Sequence, residues 1–167
     1  RDRRDTLVDQ LSKMININVT EDKTGSYNIQ TSGASLVNGD TAQKLATFST
    51  KDPTYGYAVE NVVVAGSTQP INFTNGEIKG LLDGRDSTQG GVKGYLDQLN
   101  TISKFLLQDF NAVHKAGVGT DNSTGTNFFG DDTNYKTWTP AAGENWISEL
   151  QVNPKITDPV KIGRAHV

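Results

Sequence analysis

Residues Val92 to Ala116 carry the pattern that most restricts this chain. Val92, Leu99, Leu106 and Val113 recur every seventh position, with Tyr95, Ile102 and Ala116 in a second row beside them and Phe110 close by. Apolar residues at that interval lie along one stripe of a helix and present a seam to another helix. At about 1.5 Å of rise per residue the helix would be roughly 37 Å long, more than a small β module needs for cover. If residues 1–14 supply the partner, Leu99 and Leu106 should be among the most buried residues, with Lys93, Lys104 and Gln108 left in water.

The same helix ends in Asp109-Phe110-Asn111-Ala112-Val113-His114-Lys115-Ala116-Gly117, which places Asp109, Asn111 and His114 together. They could be imagined as an acid–base set, but no nucleophile, metal cluster or phosphate loop accompanies them. A hydrogen bond from His114 to a late carbonyl or to the following loop is the simpler role. Lys115 and Gly117 mark the exit of the helix.

Changes of period divide the rest. Leu7, Val8, Leu11, Met14 and Ile15 lie at helical spacing, so residues 1–14 are expected to close a longer helix. Arg1, Arg3 and Arg4 among Asp2, Asp5 and Asp9 suggest a solvated or interhelical ion-pair face. From Ile15 the chain alternates through Ile17 and Val19, turns at Asp22-Lys23-Thr24-Gly25 and resumes at Tyr27 and Ile29, a hairpin signal. Asn38-Gly39-Asp40 is another turn. Strands are expected around Leu45–Phe48 and Tyr57–Val64, with breaks at Asp52-Pro53 and Gly66–Pro70 ahead of Ile71–Phe73. Thr74 and Glu77 have the spacing of a capping box. Residues 118–143 read as loop, with Trp146, Ile147, Leu150 and Val152 packing back.

These readings give an α+β fold: long antiparallel-packed helices as a rod (1–14 and 75–127), a small antiparallel all-β domain inserted between them (15–74), and a loop-rich segment packing back (128–161). Residues 162–167 read as a translated sequencing adapter, a non-native tail, and the chain is expected to be an internal fragment.

A net charge of −3 and a pI near 5.3 give no basic face for nucleic acid. Without cysteine the chain has no disulfide, thiolate nucleophile or cysteine-based zinc site. Asp121-Asn122-Ser123-Thr124-Gly125 hints at a calcium loop. Counting from Asp121, however, puts Thr126 where an EF-hand needs glycine and Asp132 where it needs glutamate. No metal or cofactor is expected.

Four stretches, in order, resemble signatures of the bacterial flagellar hook-associated protein 1 family. They are Arg1–Ser12 (RDRRDTLVDQLS); Tyr27, Ile29, Gly33, Leu36, Val37, Gly39, Ala42 and Leu45; Gly76–Asp86 (GEIKGLLDGRD); and the 109–117 run, with Asp109, Phe110, Asn111, Ala112, His114 and Gly117 as motif residues. Phe128-Phe129, Val152-Asn153-Pro154 and Asp158-Pro159-Val160-Lys161 continue the likeness. The resemblance implies a non-enzymatic, extracellular component of the hook–filament junction, exported through the flagellar type III pathway. Its implied partners are further copies of itself, the hook protein, the second junction protein and an export chaperone; neither nucleic acid nor membrane is among them. A surface adhesin or phage-tail module on a helical stem is the rival among binding proteins, and an enzyme using His114 with Asp109 is the other.

Overall fold

The structure is a computed structural model and describes residues 2–131 and 144–157. The proposed tail and Asp158–Lys161 lie outside the described residues, as does Asp132 of the calcium-loop count. The chain folds as two compact units, residues 1–52 with 56–93 and residues 53–55 with 94–167.

The first unit opens with α1 (Asp2–Met14), which runs into a four-stranded antiparallel meander, β1 (Asn18–Glu21), β2 (Tyr27–Thr31), β3 (Ala34–Asn38) and β4 (Thr41–Ala42). The Asp22 turn closes β1–β2 because the Asp22 carboxylate accepts from the main-chain N–H groups of Thr24 (2.8 Å) and Ser26 (2.9 Å) and from the Thr24 hydroxyl. Those bonds, the Thr24 hydroxyl foremost, hold the Asp22 carboxyl below its ordinary value. Between β2 and β3 the chain reverses through Ser32 (φ 45°) and Gly33 (φ 85°), a two-residue loop with both φ positive, whose twist matches the strands. The β3 strand carried no separate strand signal in the sequence. A second, two-stranded sheet pairs β5 (Leu45–Lys51) with β6 (Ala58–Val64) in register from Leu45↔Val64 to Lys51↔Ala58. Ile71 to Phe73 adds no strand; Ile71 N–H donates to the Val62 carbonyl at 2.8 Å.

The core of this unit is apolar. Ile15, Leu36, Ile71 and Phe73 are buried together, with Leu11, Ile17, Val37, Val62, Ile78 and Leu82 packed around them. The alternation that predicted the hairpin therefore also aims it, since Ile15 leads the row and Ile29 and Leu36 face inward.

One local expectation is corrected. The capping box at Thr74 does not form: α2 (Glu77–Asp86) starts two residues late for it, with Gly76 as its N-cap at φ 97° and no side-chain cap. Thr74 N–H instead donates to Asn16 Oδ1 at 2.9 Å. Gly76 is required, because a Cβ there would fall 2.5 Å from the Met14 carbonyl oxygen. The charged face of α1 is solvated, with Asp2, Arg3, Asp5 and Asp9 exposed, and Arg4 and Asp5 reach the sheet. Arg4 donates to the Gly25 carbonyl (2.8 Å) and lies 3.6 Å above the Tyr27 ring, while Tyr27 donates its hydroxyl hydrogen to Asp5 (3.1 Å).

The second unit is a long helix with a loop folded against it. The helix runs as α3 (Val92–Phe105), widens into a π turn at Leu106–Phe110, and finishes as α4 (Asn111–Ala116); α3 begins in the first unit, which ends at Lys93. Two short 3₁₀ turns, Trp146–Glu149 and Pro154–Thr157, follow later. Division by compactness thus differs from division by secondary structure: α1, α2 and the strands share one unit.

Candidate functional site: an apolar helix face and its asparagine-held end

The row expected to form a seam is exposed. Val92, Tyr95, Leu99 and Ile102 are each more than half exposed, with Leu99 at 52% and Val113 at 67%, and Phe110 is 39% exposed. Leu106 is half-buried and Ala116 exposed. Phe105, absent from the heptad reading, adds another exposed ring. The burial expectation for Leu99 is therefore overturned, and Leu106 is no core residue. Among the three polar residues, Lys104 is exposed, but Gln108 is half-buried and Lys93 is partly covered, with its ammonium 4.0 Å from Asp52. Apolar spacing states which face favours leaving water; it does not say which partner takes it.

The buried side of the helix is narrower and more polar. Ser103, Leu107 and Asn111 are buried along it, and Ser103 returns its hydroxyl hydrogen to the Leu99 carbonyl (2.9 Å). Asn100 begins the docking of the return segment, accepting from Trp146 N–H (2.6 Å) and donating to the Glu144 carbonyl (2.9 Å). Trp146 is buried beside it.

Asn111 is the centre of the helix end. Its Oδ1 accepts from the N–H groups of Phe128 (2.9 Å) and Phe129 (3.0 Å), and its Nδ2 donates to the carbonyls of Leu107 (2.9 Å) and Phe129 (2.8 Å). A carboxamide offers two acceptor sites and two donors, so at 1% exposure all four are used. The π turn brings this about. A wide turn places one extra residue in the helix and interrupts its regular bonding, and Asn111 follows it directly, its side chain bonding back to Leu107. The loop it grips is fastened in turn by Asn153, which donates from Nδ2 to the Asn127 carbonyl (2.9 Å) and from its main-chain N–H to the Phe128 carbonyl (2.9 Å).

His114 lies one turn beyond. Its Nδ1 is 2.8 Å from the Thr126 carbonyl, and since a carbonyl only accepts, that nitrogen carries the hydrogen. The imidazole stacks on Phe110 (centroids 6.4 Å apart) and meets Phe128 edge-on at 5.4 Å, while Phe128 and Phe129 touch each other at 4.8 Å. Edge-to-face contacts of this kind add about 0.5–1.5 kcal/mol beyond burial. Asp109 and Ala112 are exposed. The 109–117 run therefore divides into residues that hold the 126–129 loop (Phe110, Asn111, His114) and residues that face away (Asp109, Ala112, Val113). Gly117 leaves the helix at φ −73°, in extended rather than left-handed conformation.

The geometry commits His114 to a main-chain carbonyl. Asp121 accepts from Ser123 N–H at 2.9 Å as an ordinary loop turn. Among the described residues no three His, Cys, Asp or Glu side chains are grouped to hold a metal ion, and no described helix is long and apolar enough to cross a membrane.

Residues 1–129 match the model of the flagellar hook-associated protein FlgK helical domain. The chain belongs to this family. Flagellar hook-associated protein 1 of Salmonella typhimurium is 33% identical over 132 residues, covering 77% of this chain and 23% of that protein. The same-named protein of Escherichia coli K12 is 33% identical over 132 residues, covering 77% of this chain and 24% of that protein. The chain thus spans about a quarter of the length of the FlgK relatives it matches. The match covers the heptad helix, Asn111, His114 and the Phe128-Phe129 pair. It leaves the adhesin and phage-tail reading without support.

Proposed function

We propose that this chain is part of a structural, non-enzymatic component of the bacterial flagellum, which joins hook to filament by packing with copies of itself. The observation carrying the reading is the exposed apolar row Val92, Tyr95, Leu99 and Ile102 ahead of the wide turn on a helix of a FlgK-family chain. A row of that length left in water is a surface built for burial. The relatives' name, hook-associated protein, supports the place of assembly.

In the parent protein, residues 1–14 and 75–127 belong to a helical rod, 15–74 form a β domain set into it, and 128–161 lead into the next region. The seam packs against other helices, with Leu106 and Phe110 closing its lower end, while the motif residues Asp109, Phe110, Asn111, Ala112, His114 and Gly117 fix where the chain leaves the rod. The assembly partners are the protein itself, the hook protein and the second junction protein. An export chaperone attends delivery through the flagellar type III pathway to an extracellular position.

The test separates assembly from folding. Leu99→Asp with Ile102→Asp, placed in the full-length gene of a flagellated host, should abolish filaments while hooks remain visible by electron microscopy. The same pair in the 167-residue chain should move stability little, since exposed substitutions usually fall within about 0.5 kcal/mol each. Normal filaments from the double variant would overturn the seam reading.

A further inference from the structure

Two Asn-Gly pairs occur in the chain, Asn38-Gly39 and Asn75-Gly76. Such pairs can deamidate without an enzyme. The main-chain nitrogen of the glycine loses its proton to base and attacks the asparagine Cγ. A C–N bond forms, the bond to the side-chain nitrogen breaks and ammonia leaves. Water then opens the resulting succinimide at either carbonyl, giving aspartate or isoaspartate. Glycine favours the reaction because it places no side chain in the way of the ring. In a folded protein the outcome depends on whether nucleophile and carboxamide can meet.

We propose that Asn75 is the spontaneous deamidation and isoaspartate-forming site of this chain, and that Asn38 is protected by the fold. At Asn75 the two reacting groups already touch: Gly76 N–H points to Asn75 Oδ1 at 2.8 Å, so the carboxamide carbon is one bond beyond the contact. Asn75 is exposed, giving hydroxide and water access. The glycine that makes the pair labile is also fixed by the fold, since φ is 97° and any Cβ would strike the Met14 carbonyl. At Asn38 the nucleophile is turned elsewhere. Gly39 N–H is shared between the Tyr27 carbonyl and Asn28 Oδ1, each at 3.2 Å, and Asn38 itself is paired in the ladder with Asn28 and Thr41. Cyclisation there must first open the sheet edge. The Asp83-Gly84 pair, which could form the same imide by losing water, lies inside α2.

Isoaspartate routes the main chain through the side-chain carbon and lengthens it by a methylene. At position 75 that extra length would fall between Thr74, whose N–H is held by Asn16, and Gly76, which is pressed against Met14. The modified chain should lose the close approach between the end of α1 and the start of α2.

The experiment incubates the 167-residue chain at mildly alkaline pH, both folded and in denaturant, and follows tryptic peptides 24–44 and 52–79 by mass. Isoaspartate is assigned by electron-transfer fragmentation. In denaturant the two pairs should convert at comparable rates; in the folded chain Asn75 should lead Asn38 by about tenfold or more, the protection expected of a ladder that must open locally. Asn75→Gln should remove the fast conversion from peptide 52–79 while leaving peptide 24–44 unchanged. Equal folded-state rates at the two sites, a faster Asn38, or a fast signal that survives Asn75→Gln would each overturn the proposal.

Discussion

The two units of this chain are held together by different physics. The first closes on Ile15, Leu36, Ile71 and Phe73, an apolar cluster that asks only for shape and dryness. The second closes on side-chain amides: Asn111 and Asn153 on the 127–129 segment and Asn100 at Trp146, with Leu107, Trp146 and Ile156 as the buried apolar residues among those described. Hydrophobic burial is non-directional and tolerates substitution at roughly constant volume. A four-bond amide is directional and tolerates almost none, because each orphaned buried donor or acceptor costs about 1–3 kcal/mol. One unit is therefore robust to sequence and loose about geometry, while the other fixes the direction of a loop at the price of fragility.

The sharpest test of that contrast uses substitutions that keep volume. Asn111→Leu should destabilise the second unit by about 3–5 kcal/mol, since it strands two main-chain N–H groups and two carbonyls. Leu36→Met should cost the first unit less than about 1.5 kcal/mol. Thermal unfolding followed by hydrogen exchange, which assigns the loss to a unit, would reverse the comparison if the two costs proved equal.

A smaller effect is expected one turn further on. His114→Ala removes one hydrogen bond to Thr126 and a ring from the Phe110–Phe128 cluster, and should lower stability by about 0.5–1.5 kcal/mol. The loss should appear as faster exchange at residues 126–129. Unchanged exchange there, with full stability, would mean that Asn111 alone holds the loop.

The smallest effect belongs to the first unit and is electrostatic. Asp22 has a folded-state carboxyl held below its unfolded value, so its charge stabilises the hairpin above the unfolded value, about 3.9, and that contribution is lost as pH falls through the lower folded value. The difference in unfolding midpoint between the parent chain and Asp22→Asn should accordingly be present at neutral pH and shrink on acidification. A difference that grew toward acid would contradict the assignment.

What was legible in the sequence follows the same division. The β1–β2 hairpin could be read because alternation at Ile15, Ile17 and Val19 and the turn chemistry of Asp22 are local. The heptad row was legible as a stripe, but its exposure was not, since spacing carries no information about what covers it. The capping box was not met because spacing does not show partners distant in sequence: Thr74 N–H goes to Asn16, and the helix starts after Gly76. In the second unit His114 was read as bonding a late carbonyl or the following loop, and its Nδ1 meets the Thr126 carbonyl. Asn100 gave no signal and Asn153 stood only within a family stretch, because an asparagine that holds a buried loop and one that decorates a surface turn look alike in a sequence. A run such as Val152-Asn153-Pro154 becomes informative only when its partner, here 127–128, is known.

The wide turn at Leu106–Phe110 changes what a one-residue deletion means for this helix. In a uniform helix, losing a residue shortens the rod and shifts everything after it. Here the surplus residue sits inside a single turn, so removing one between Ser103 and Asn111 could restore ordinary winding with little loss of length. The cost would be rotational: Asn111 and His114 would swing away from the loop while Val113 turned with them relative to Leu99. Length and angle are thus set separately along this helix, and the direction in which the chain leaves its end rests on one extra residue that aims the Asn111 amide at the loop.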